Sequence, residues 1–108
     1  MKTPEAESNG GIYHVHCSGV IFRTFKQIQK QAKDEGRGEQ VLSAMRRIWH
    51  QLSYYPNEFG EPLYGLPGLG LQVRHAAAGP LLIYFAVHER MPLVFIKEVA
   101  LLPRKFPD

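Results

Sequence analysis

The spacing of apolar residues changes period twice along the chain. Across "IYHVHCS", Ile12, His14 and His16 alternate with Tyr13, Val15 and Cys17, the period-two pattern of a strand with one buried face. From Gly19 the period lengthens to that of a helix. Ile21, Phe25, Ile28 and Ala32 share one arc of a helical wheel, and Arg23, Lys26, Lys30 and Lys33 lie opposite it. "DEGRGE" interrupts the pattern, with Gly36 as a C-terminal cap and Gly38 as a hinge. The helical period resumes with Val41, Leu42, Met45, Ile48, Trp49 and Leu52, leaving Arg46, Arg47 and His50 outside the arc. Two such helices joined by a short turn pack as an antiparallel hairpin. Trp49, lying inside the apolar arc, is expected to anchor the core.

Beyond the second helix, "YYPNEFGEPLYGLPGLG" is too rich in Pro and Gly to continue either regular structure and reads as an irregular connector over 54–70. Three apolar segments follow, "LQVRH", "LLIYFAVH" and "LVFIKEV", separated by the chain-reversing "AAAGP" and "ERMP". The middle one is apolar on both faces, as a central strand is. The predicted fold is α+β: an N-terminal strand, a helical hairpin, then a three-stranded antiparallel meander, with the helices packed on one face of the sheet. Residues 1–10 read as a flexible lead-in and 11–108 as a single domain.

A chain of 108 residues with 44% hydrophobic and 21% charged residues has the balance of an ordinary globular domain. No apolar run approaches the roughly 20 residues that span a bilayer, and "MKTPEAESNGG" lacks the apolar core of a signal peptide, so a cytoplasmic location is expected. Cys17 is the one cysteine, which excludes an internal disulfide, and its strand context predicts a buried, inert thiol. The net charge of +3 is mildly basic, short of the excess carried by dedicated nucleic-acid binders. Neither a phosphate-cradling glycine loop nor a zinc-ligand spacing is present. His14 and His16 share a strand face, yet no adjoining ligand cluster completes a metal site, and no metal or cofactor is expected.

The element order, "FGEPLYGL" closing the helical hairpin, and then "LQVRH", "GPLLIYFAV" and "VFIKEV" resemble the RelE/ParE superfamily, the small toxins of bacterial toxin–antitoxin pairs. The resemblance covers about residues 12–102. It implies a RelE/ParE-like fold, an antitoxin protein as partner, and the ribosome or messenger RNA as target. Ribonuclease members of that family cut ribosome-bound message without a metal, using Lys, Arg and a Tyr or His on the open sheet face. Such chemistry needs a base, cations at the phosphate, and an acid for the leaving oxygen.

This chain departs from that pattern at several positions. Pro80 and Leu81 stand where the family has Tyr and Arg, Gly70 and Gln72 where lysines are expected, and the chain ends in "KFPD". Arg104 and Lys105 lie close to the position of a further family arginine, near Leu102. The candidate catalytic residues are Arg74, Lys97 and Arg104. Arg23, Lys26, Lys30, Gln72, His75 and Lys105 are candidates for contacting RNA or a partner, and His88, Glu89, Arg90 and Glu98 complete the polar groups of the final strands. Two functions follow from the resemblance: a degenerate ribosome-dependent mRNA interferase inhibiting translation, or a non-enzymatic relative, either gyrase-directed or an antitoxin-binding scaffold. Nucleic-acid binding along the basic face of the first helix competes with its reading as a solvated surface.

Overall fold

The computed structural model describes residues 12–103; the lead-in over 1–10 and the pair Arg104 and Lys105 lie outside them. The order of elements is β1 (His14–His16), α1 (Gly19–Asp34), α2 (Gly38–Tyr54), β2 (Glu61–Leu66), β3 (Leu71–Ala78), β4 (Leu81–His88) and β5 (Leu93–Leu101). Ser18 starts α1 by accepting a hydrogen bond at Oγ from the Ile21 amide, satisfying one of the orphan donors of the first turn. Gly36, at φ +77°, ends the helix in the left-handed conformation that the "DEGRGE" break requires. Arg37 then braces the interhelical turn, donating through Nε and Nη2 to Glu35 and through Nη1 to the Leu102 carbonyl.

All strands join one mixed sheet in the order β1-β5-β4-β3-β2. β1 runs parallel to β5 and every other pairing is antiparallel. The sheet therefore has five strands, and the meander after the helices has four members rather than three. The extra member is β2, inside the segment read from sequence as an irregular connector. Five of its six residues are exposed, so it has no buried face to create a period-two pattern. Its order comes from backbone pairing to β3, and as an edge strand it tolerates Pro62.

One face of the sheet carries Leu81, Ile83, Phe85 and Val87 of β4, which pack with Ile28 and Ala32 of α1 and Val41, Ala44, Ile48 and Leu52 of α2 in a single core cluster. Both helices thus cover the same face. The buried arc of α2 is narrower than its apolar arc. Trp49, expected as a core anchor, is 52% exposed, and Leu42 is exposed beside it. The buried line of α2 runs through Val41, Ala44, Ile48, Leu52 and Ser53, which leaves position 49 on the flank of the helix. Phe25 and Met45 likewise pack against the core only partly buried. Ile48 lies at the centre of this layer, 1% exposed, so Ile48→Ala should lower stability by about 2–5 kcal/mol in urea denaturation.

No described helix is long and apolar enough to cross a membrane.

Candidate functional site

Strand alternation sends every second residue of β3 and β4 away from the helices. Because β4 uses its odd-numbered residues for the core, Leu82, Tyr84, Ala86 and His88 face the other way, and β3 opposes them with Ala77, His75, Val73 and Leu71. On β1, Val15 pairs with the core residue Val94, so His14 and His16 also lie on this open face. Four of the five histidines of the chain are gathered there.

Two bulges shape the face. One falls at Leu63, between the pairs Pro62–Arg74 and Tyr64–Val73. The other falls at Lys97: Tyr84 pairs with Glu98 and Phe85 with Ile96, leaving Lys97 as the extra residue. Ile96 and Val99 both reach the helix side, and Lys97 and Glu98 between them are both exposed.

The registers align one transverse row. Glu61 of β2 opposes His75 of β3, His75 opposes Tyr84 of β4, and Tyr84 opposes Glu98 of β5. Directly opposed side chains have Cβ atoms about 4.5–5.5 Å apart, close enough for their polar ends to act on one group. The His75 and Tyr84 rings are stacked, 6.0 Å between centroids and 22° between planes. The neighbouring row holds a second stacked pair, His16 and Phe95, at 5.2 Å and 21°. On the same face Val73 is 1% and Ala86 2% exposed, although neither belongs to the helix-side cluster. His88 has a separate duty: its Nδ1 accepts from the amides of Arg90 and Met91 at 3.1 and 3.0 Å, holding the β4–β5 turn.

The residues singled out from sequence divide between two sides of the molecule. Lys97 and His75 are on the open face. Arg74 and Gln72 are on the helix-facing side, opposite Phe85 and Val87. Arg74 is only 8% exposed and donates through Nε to the Phe59 carbonyl (3.2 Å) and through Nη2 to that of Gly60 (3.1 Å). It clasps the segment entering β2 and shares no surface with Lys97. Arg74→Met should leave both carbonyls short of a donor and cost about 1–3 kcal/mol, read as a lowered urea midpoint. Gln72 donates to the Tyr64 carbonyl within the β2–β3 hairpin. Arg23, Lys26 and Lys30 are exposed on α1, away from the open face, with Lys26 over the Phe22 ring.

The residue pattern does not point to Glu61 or Tyr84, because β2 carries no strand periodicity and the apolar run of β4 hides the parity of Tyr84. No group of three or more His, Cys, Asp or Glu among the described residues is arranged to hold a metal ion. Cys17 is half-buried rather than buried, and this partial burial raises its thiol above the usual range, which keeps it protonated and poorly nucleophilic.

On the helix side, Ile12, Met45, Trp49 and Tyr54 line an open groove of about 500 Å³ with Arg46 and His50 at its rim.

Comparison of the chain with protein-family models, with curated proteins and with solved structures returns no match.

Proposed function

We propose that this is a RelE/ParE-like protein that cleaves RNA from the open sheet face, without a metal, as a ribosome-dependent mRNA interferase of a toxin–antitoxin pair. The observation that carries the reading is the transverse row Glu61, His75, Tyr84 and Glu98, with Lys97 bulged out beside it. It brings proton-transfer groups and a cation together on a face that neither helix covers.

Attack of a ribose 2′-oxygen on the adjacent phosphorus needs a group to take the 2′ proton. His75 fills that role, with the Glu61 carboxylate across the ladder to offset the imidazolium charge. The P–O5′ bond breaks as the P–O2′ bond forms, and the departing 5′-oxygen takes its proton from the Tyr84 hydroxyl. Lys97 offsets charge on the phosphoryl oxygens and on the resulting phenolate. Transfer of the proton held by His75 through solvent to the Tyr84 phenolate resets the site. Of the sequence-derived trio this set keeps Lys97 and omits Arg74, whose guanidinium is committed to the carbonyls of Phe59 and Gly60 on the opposite side of the sheet, while Arg104 lies outside the described residues.

A non-enzymatic role, as an antitoxin-binding or gyrase-directed relative, draws support from a different observation. Trp49 is exposed at an apolar groove with basic residues at its rim, a surface suited to an amphipathic, acidic helix. The two readings are separated by incubating purified protein with message on ribosomes kept intact by magnesium, with the same message free of ribosomes as the control. Cutting supports the nuclease. Intact message, under conditions where the protein is folded, supports the binding role.

A further inference from the structure

We propose that the stacked pair His16 and Phe95 is a base-stacking subsite for unpaired RNA, which sets one nucleobase of the strand beside the acid–base row. The identity of the ligand rests on the reading of the open face as an RNA surface; the subsite itself rests on geometry. The two rings lie nearly parallel across the β1–β5 ladder, with His16 the more exposed partner on the short edge strand. The His75 and Tyr84 stack lies in the next row, so the two ring pairs are adjacent tiles on one surface.

Ring faces offer every base a π surface, and their nitrogens and hydroxyl offer hydrogen bonds to base edges. Duplex bases are already stacked on each other and cannot use such tiles. Apart from Tyr64 and Leu63 at the β2 edge, the exposed apolar groups that a protein partner would seek are concentrated on the helices (Val20, Phe22, Leu42, Trp49) and at Leu69 in the β2–β3 turn. RNA therefore suits this face better than a protein does.

Charge makes the inference specific. Among the described strand residues of the open face, Lys97 is the one lysine or arginine. Binding there must depend on stacking more than on phosphate neutralisation, so it should respond weakly to salt. For single strands the slope of log affinity against log salt is about −0.7 per phosphate contact, giving a slope near −1 for one or two contacts. Binding along α1 through Arg23, Lys26, Lys30 and Lys33 would give a slope steeper than about −2 on the same scale.

The test uses the full chain and a short fluorescein-labelled 2′-O-methyl RNA, which lacks the attacking hydroxyl and so reports binding without cleavage. A matched duplex and a matched abasic strand serve as controls, read by fluorescence anisotropy at several salt concentrations. The unaltered protein should prefer the single strand to both controls. His16→Ala should weaken binding by about 5- to 100-fold, the range expected for loss of one base stack. His16→Phe should restore it, and neither variant should weaken binding to the abasic strand. Circular dichroism melts verify that both variants are folded. Equal binding by His16→Ala and the unaltered protein overturns the subsite, as does equal binding of the abasic strand, a steep salt slope abolished by neutralising the α1 cations, or no binding by the unaltered protein. If nothing binds yet message is cut, the nuclease reading survives without this subsite. Stacking-dependent binding with no cutting leaves the subsite and removes the nuclease.

Discussion

Gly60→Ala should destabilise the protein by about 3–5 kcal/mol and bring it close to unfolding at ordinary temperatures. Gly60 adopts φ +70°, and an added Cβ would fall on the His75 carbonyl oxygen and 2.6 Å from the Ala76 Cβ. The left-handed conformation alone costs a residue with a Cβ about 1–2 kcal/mol. The remainder comes from the collision, because its closest partner is ladder backbone and cannot turn aside as a flexible side chain would. Relief requires β2 to move off β3, which would also break the bond from Arg74 to the Gly60 carbonyl. Gly36→Ala is the internal control. That residue has a similar φ, +77°, but nothing within 4 Å of the added atom, so it should show the conformational penalty alone. Similar urea midpoints for the two variants would mean that β2 is not seated against β3 as described.

The second large effect is on activity. His75→Ala should reduce the rate of RNA cutting by about 10²- to 10⁴-fold, the contribution expected of a positioned proton-transfer group. Tyr84→Phe keeps the ring in its stack with His75 and removes only the hydroxyl, so a large loss of rate with little change in melting temperature would separate chemistry from packing. Lys97 is exposed, and Lys97→Ala should lower the rate with little loss of stability. Wild-type cutting by His75→Ala would remove the row from the mechanism.

Much of the scaffold was legible in the residue pattern. Ile28, Ala32, Ile48 and Leu52 stand at helical spacing and are buried, and the break at Gly36 falls where a left-handed residue ends α1. The parity shared by Gln72 and Arg74 was also readable, and both are on the helix side. Three features were hidden for physical reasons. β2 buries almost nothing, so no periodicity marks it, and Glu61 could not be aligned with His75 before its strand was known. The bulge at Lys97 breaks alternation in β5, a backbone event that side-chain pattern does not encode, and it turns both Lys97 and Glu98 outward. Trp49 misled because hydrophobicity reports what a side chain tolerates, whereas the buried line of α2 runs through Val41, Ala44, Ile48 and Leu52 and takes in the small Ala44 and the polar Ser53 while leaving the indole out. Charge was similarly ambiguous: Arg74 and Lys97 look alike in sequence, but the carbonyls that bury Arg74 come from the segment before β2.

The ends of the cut RNA record which bond is made and which is broken, and so test the proposed roles of His75 and Tyr84 most directly. Message cut by the purified protein on intact ribosomes should be analysed by mass spectrometry of its termini. Proton transfer by His75 and Tyr84 around a 2′-oxygen attack leaves a 2′,3′-cyclic phosphate, or its hydrolysed 3′-phosphate, on one fragment and a 5′-hydroxyl on the other. Fragments carrying a 3′-hydroxyl and a 5′-phosphate, the ends left by attack of water rather than of the 2′-oxygen, would contradict it.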